Sequence, residues 1–128
     1  MKLFFKLCFI FILCSVLCIK SEALNFEEGY NELSQTPMAV LLYAPWVDNI
    51  SEYSEIFKSA QTKFSSQCNF VELNIADKDA KFFNEKYNIY QNLPYVLFFK
   101  NERNVRFLSK DCASDLNCLN QRLTIFLQ

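Results

Sequence analysis

Met38-Ala39-Val40-Leu41-Leu42-Tyr43-Ala44-Pro45-Trp46 is the stretch whose reading decides the fold. Its first seven residues form a continuous apolar run. A strand buried on both faces needs such a run, and Pro45 ends it. The segment that follows changes period. From Asn49 to Phe64, the residues Ile50, Tyr53, Ile56, Phe57, Ala60 and Phe64 fall on one face of an amphipathic helix. Asn49 followed by Glu52 has the spacing of a capping box, which predicts Asn49 as the N-cap.

The same alternation of periods extends in both directions. Phe26, Tyr30 and Leu33 predict a short helix over Phe26–Ser34. Asn69–Ile75 predicts a second strand. Asp77–Tyr87 predicts a helix, with Asp77 and Asp79 at its positive end as dipole partners rather than calcium ligands. Tyr95–Phe99 is a third apolar strand. The polar turn Lys100–Asn104 leads to a short partner, Val105–Leu108, and Leu116, Leu119, Leu123 and Leu127 mark a final helix. Strands separated by helices pair in parallel, while a short turn between two strands makes an antiparallel hairpin. The expected architecture is therefore α/β, a mixed four-stranded sheet with helices on both faces.

Composition excludes several functions. The chain has 128 residues, a net charge of −1 and no His. Without His, Ser-His-Asp and Cys-His catalysis are impossible, and the commonest metal ligand is missing. The balanced charge gives no reason to expect a nucleic-acid partner. No metal-ligand cluster or phosphate loop stands out, so no metal and no cofactor are expected.

The N-terminus reads as a targeting segment. Lys2 and Lys6 precede the apolar run Leu7–Ile19, and Ser21-Glu22-Ala23 supplies small residues at the positions a signal peptidase needs. The run is shorter than the ~20 residues of a membrane span. The expected division is a signal peptide at 1–23 and one domain at 24–128, with no membrane contact after cleavage. The end, Phe126-Leu127-Gln128, carries no KDEL-type signal. The expected location is the secretory pathway, either the endoplasmic reticulum lumen or outside the cell.

Three fragments then point to a family. Tyr43-Ala44-Pro45-Trp46, Lys86-Tyr87-Asn88-Ile89 and Leu93-Pro94-Tyr95-Val96-Leu97-Phe98-Phe99-Lys100-Asn101 resemble, in order and spacing, segments of the thioredoxin superfamily. The likeness is greatest to protein disulfide isomerase domains, and it spans roughly residues 25–127. It implies a thioredoxin-like fold, although only Leu24 precedes the first helix, so the family's usual first strand is missing. By the same resemblance, Val47 and Ile50 of Val47-Asp48-Asn49-Ile50 stand where the two catalytic sulfurs belong. Leu41 stands where the family has a buried acid. Thiol exchange needs a low-pKa thiolate and a resolving thiol, so this degenerate site implies a redox-inactive protein. The resemblance also carries a polypeptide-binding role to Trp46, to the backbone at Leu93 before the candidate cis-proline Pro94, and to Tyr95. Tyr43, Trp46, Val47, Ile50 and Tyr95 would form the apolar surround, with Tyr43 leaning toward the core.

The remaining cysteines leave an alternative open. Cys112 and Cys118 would lie about 9 Å apart along one continuous helix, too far for a bridge. A disulfide requires Cys112 to sit in the loop before the helix. A structural staple, an exchange-active pair and two reduced thiols all fit the sequence, the staple being the leading expectation. Cys68, at the start of the second strand, belongs at the opposite end of the sheet from Trp46, as an unpaired thiol. The expectation is a polypeptide-binding chaperone-like factor or assembly subunit. The alternative is a thiol-disulfide oxidoreductase or isomerase using Cys112/Cys118 or Cys68. Asn49-Ile50-Ser51 is in addition a glycosylation sequon at the degenerate site.

Overall fold

The computed structural model describes residues 24–87, 89 and 93–128. The predicted signal peptide lies outside them, as does Asn88 of the second family-like fragment. The chain begins with helix α1 (Phe26–Asn31), then strand β1 (Met38–Tyr43), helix α2 (Ile50–Phe64) and strand β2 (Asn69–Asn74). A 3₁₀ turn (Lys78–Ala80) and helix α3 (Lys81–Lys86) lead to strands β3 (Tyr95–Phe99) and β4 (Val105–Leu108). Helices α4 (Lys110–Ala113) and α5 (Leu116–Phe126) end it. The sheet order is β2-β1-β3-β4. β1 pairs parallel with β2 and antiparallel with β3, and β3 pairs antiparallel with β4. Among the described residues no strand precedes α1.

β1 is central because its residues can be buried on both sides. Ala39 and Leu41 pack with Phe57, Ala60, Val96, Phe98, Leu119 and Leu123, the layer under α2 and α5. Met38, Val40 and Leu42 pack with Phe26, Phe83, Leu97 and Phe99, the layer under α1 and α3. Among the described residues no helix is long and apolar enough to cross a membrane.

Three local expectations need correction. α1 stops at Asn31 rather than Ser34, because the Glu32 N–H divides between the Glu28 and Gly29 carbonyls and the chain turns. Its start is capped by Asn25, whose Oδ1 accepts the Glu28 N–H at 2.9 Å. The Asp77–Tyr87 helix is two pieces, and Asp77 makes no side-chain cap. Asn74 takes over this bend: its Oδ1 accepts the Ala76 N–H and its backbone oxygen accepts the Asp77 N–H, each at 3.0 Å. Third, Cys112 lies not in a loop but in its own helical turn, α4.

Candidate functional site

The segment after β1 is shaped by a turn. The Val47 N–H donates to the Ala44 carbonyl at 3.1 Å, so Ala44 to Val47 closes a β-turn with Pro45 at its second position. That geometry lifts Trp46 off the core, and its side chain is 65% exposed. An indole this exposed forgoes a large burial gain, so the fold does not need it for packing. Val47 and Tyr95 are half-buried against the α1–α3 layer, whereas Ile50 packs on the α2–α5 layer. The expected apolar surround is therefore divided between the two faces, with Trp46 on the loop between them. Tyr43 is half-buried, and burial, then the Glu72 and Asp77 carboxylates, hold its phenol above the ordinary tyrosine range.

The Leu93 side chain, buried in the α1–α3 layer, belongs to the core rather than the surface, which leaves open the backbone role that the resemblance implies. The Leu93–Pro94 peptide bond is cis, and the β1–β3 register ends at Leu42↔Tyr95, so neither Leu93 nor Pro94 belongs to the ladder.

Asn49 does not act as the predicted side-chain cap. It sits at φ 61°, ψ 25°, in the left-handed region, and its side chain makes no cap hydrogen bond. The Asn49 carbonyl opens the helix instead, accepting the Glu52 N–H at 3.1 Å. Among non-glycine residues, Asn tolerates this conformation best, while a β-branched residue does not. Asn49→Val is accordingly expected to cost about 1–2 kcal/mol and Asn49→Gly nearly nothing. Urea unfolding of both variants checks this; equal midpoints would refute it. Asp48 and Asn49 are both exposed, so the sequon is accessible. Leu41 is fully buried among apolar side chains.

The cysteines are resolved into two kinds. Cys112 and Cys118 form a disulfide, with their Cα atoms 5.1 Å apart. The chain manages this because the helix is broken at Ser114 and Asp115. The Ser109 Oγ caps α4 through the Cys112 N–H at 3.4 Å, and the Asp115 Oδ1 caps α5 through the Asn117 N–H at 3.0 Å. Two capped helices in place of one bring the sulfurs together. A bridge closing so short a loop stabilises by about 2 kcal/mol on the chain-entropy model. The Cys112→Ser/Cys118→Ser variant should lose that much in thermal or urea unfolding, and no loss would mean the bridge constrains nothing. Cys68 is a buried free thiol whose pKa burial pushes up to about 12. Burial thus favours the protonated thiol, the unreactive form, at neutral pH. Because β2 runs parallel to β1 with Met38↔Asn69 in register, Cys68 lies at the opposite end of the sheet from Trp46.

Among the described residues no group of three His, Cys, Asp or Glu side chains is placed to hold a metal. One feature escaped the sequence reading. Phe107 on β4 and Ile125 on α5 are 55% and 59% exposed. Arg106-Phe107 alternation on a short final strand was the available signal.

No protein-family model matches the chain, and no curated protein does. Solved structures do match in shape. Deadhead, a germline-specific thioredoxin of Drosophila melanogaster, superposes with a TM-score of 0.58 at 17% identity, over 74% of this chain and 85% of that one. The J-Trx1 fragment of ERdj5 gives 0.66 at 11% identity over 82% of this chain, which spans half the length of that fragment. A malarial protein gives 0.58 at 15% identity over 73% of this chain and 100% of its own. Identities this low speak for architecture alone. With its β2-β1-β3-β4 mixed sheet between two helical layers, the chain has the thioredoxin-like fold.

Proposed function

We propose that this protein is a redox-inactive polypeptide-binding module of the secretory pathway, serving as a chaperone-like factor or as a subunit of an assembly. The observation that carries the reading is Trp46, a 65% exposed indole on the turn after β1. The following residues, Val47, Asp48, Asn49 and Ile50, bring no sulfur to that turn. An exposed aromatic on a turn braced by the sheet is a binding anchor, because its covering by a partner recovers apolar area at little entropic cost. Tyr95 and Val47 extend the apolar surface on one side, and the Leu93–Pro94 backbone beside β3 offers unladdered groups to an extended chain. Secretory targeting rests on Lys2, Lys6 and the apolar run after them. A glycan on Asn49 would stand beside Trp46 and compete with a client.

Trp46 is the chain's one tryptophan, so its own fluorescence reports the test. Titration with an unfolded, reduced and alkylated polypeptide should shift its emission to the blue and saturate. By anisotropy of the labelled client, Trp46→Ala should weaken binding about tenfold or more. Its stability should stay within about 0.5 kcal/mol. Unchanged client affinity would sink the reading. Reduction of insulin disulfides above a thiol blank would instead favour an enzyme working through Cys112 and Cys118.

A further inference from the structure

A trough lies beside the β4 edge of the sheet. A cavity of about 460 Å³ lies between β4 and α5, with Phe98, Leu108 and Phe126 as its apolar floor. Lys100, Arg106 and Arg122 line it, and no carboxylate does. All three cations are exposed, and among the described residues none is in an ion pair or a side-chain hydrogen bond. The chain as a whole is net −1, so three unpaired cations in one trough do not reflect a generally basic surface.

The backbone beside the trough is equally unpartnered. β4 is the last strand of the sheet, and the Lys100 N–H donates to the Asn104 carbonyl at 3.0 Å. In an antiparallel ladder, hydrogen-bonded pairs alternate with non-bonded ones. The register Phe98↔Arg106 and Leu97↔Phe107 therefore turns the N–H and C=O groups of Arg106 toward β3. Those of Val105 and Phe107 turn outward, to the open edge. A further strand would run about 4.8 Å away, along the mouth of the trough. Alternate side chains of that strand would fall beside Arg106 and reach Arg122 on α5.

We infer that this edge binds an extended acidic segment of another polypeptide, added as a fifth strand. The Val105 and Phe107 backbone groups would give affinity. The three cations would select carboxylates at every second position, and the exposed Phe107, which points to the opposite face of the sheet beside Tyr95, would cover the apolar residues between them. The occupant's charge follows from complementarity, because a neutral strand would leave the cations unanswered. This site is built from different residues than the Trp46 surface and lies on the β4 side of the sheet, although its Phe107 meets Tyr95 of that surface edge to face at a centroid separation of 6.1 Å.

The test uses a short, amidated, fluorescein-labelled peptide alternating Glu and Val, titrated with the purified protein and read by anisotropy. Saturable binding is expected, weaker at high salt because exposed ion pairs are screened. Arg106→Glu combined with Arg122→Glu should weaken it about tenfold or more. Lys63→Glu, a charge reversal at the far end of α2, should leave it unchanged. On the unaltered protein, a Gln-for-Glu peptide and a peptide N-methylated at alternate residues should each bind at least about tenfold more weakly. Four results would overturn the inference. They are no saturable binding, equal loss in Lys63→Glu, full retention by the Gln peptide, and full retention by the N-methylated peptide. The last would indicate an anion site without strand addition.

Discussion

Leu41→Asp should unfold this protein at neutral pH. Leu41 is fully buried on β1, among Ala39, Phe57, Val96 and Phe98. The substitution removes a well-packed side chain, a loss of about 2–5 kcal/mol for such positions. It also places a carboxyl group among hydrocarbon with no partner, which costs at least about 2 kcal/mol more even when protonated. The described core contains no buried polar or charged residue to receive it. Against a typical total of about 5–15 kcal/mol, that sum is most or all of the stability. Family resemblance alone would suggest tolerance, since an acid is at home at this position there; the packing of this chain says otherwise. The pH dependence follows with a definite sign. Burial raises the carboxyl pKa in the folded state above the unfolded value of about 3.9. The folded state then binds the proton more tightly, so whatever stability remains is greatest below that value. It falls as pH rises toward the folded pKa. Leu41→Ala, measured alongside by urea unfolding, separates the cavity from the charge. A Leu41→Asp protein that is as stable as Leu41→Ala and indifferent to pH would show that water or a partner reaches this position.

The second large effect is expected at Phe26. The ring is fully buried and contacts Tyr30, Phe82, Phe83 and Phe99, with centroid separations of 5.9, 6.0, 5.1 and 5.6 Å. It is the chief side chain by which α1 holds to the sheet and to α3. A six-residue helix is not stable by its own hydrogen bonds. Phe26→Ala should therefore cost about 3–5 kcal/mol, and α1 should detach before the rest unfolds. Hydrogen exchange at the α1 amides reads the second part directly. A cost below about 1 kcal/mol would mean that α1 is not part of the cooperative unit.

Much of the architecture was legible from residue order because burial imposes a period. An apolar run such as Met38–Ala44 has one comfortable place, a strand covered on both faces. The i, i+3, i+4 spacing from Ile50 to Phe64 has another, a helix on one face. Three of the places where local reading failed share a cause. Asn49 as cap, Asp77–Tyr87 as one helix, and Cys112 in a loop each turned on which nearby group takes a backbone hydrogen bond. Asn49, Asn74, Ser109 and Asp115 can all compete for such bonds, and spacing does not rank them. Trp46, Leu93 and Tyr95 were found from the sequence only through resemblance, and Leu93 then proved to be core.

The sequence by itself determined the absence of histidine chemistry, the sulfur-free turn after Trp46, and the succession of strands and helices. It did so because residue identity and period are local properties. Tertiary structure alone decided that Trp46 stands clear of the core while Leu93 does not. It also decided that β4 ends the sheet with Phe107 uncovered, and that Lys100, Arg106 and Arg122 meet around one trough. Those facts depend on which elements lie side by side, and that is settled by how two apolar layers close around one sheet.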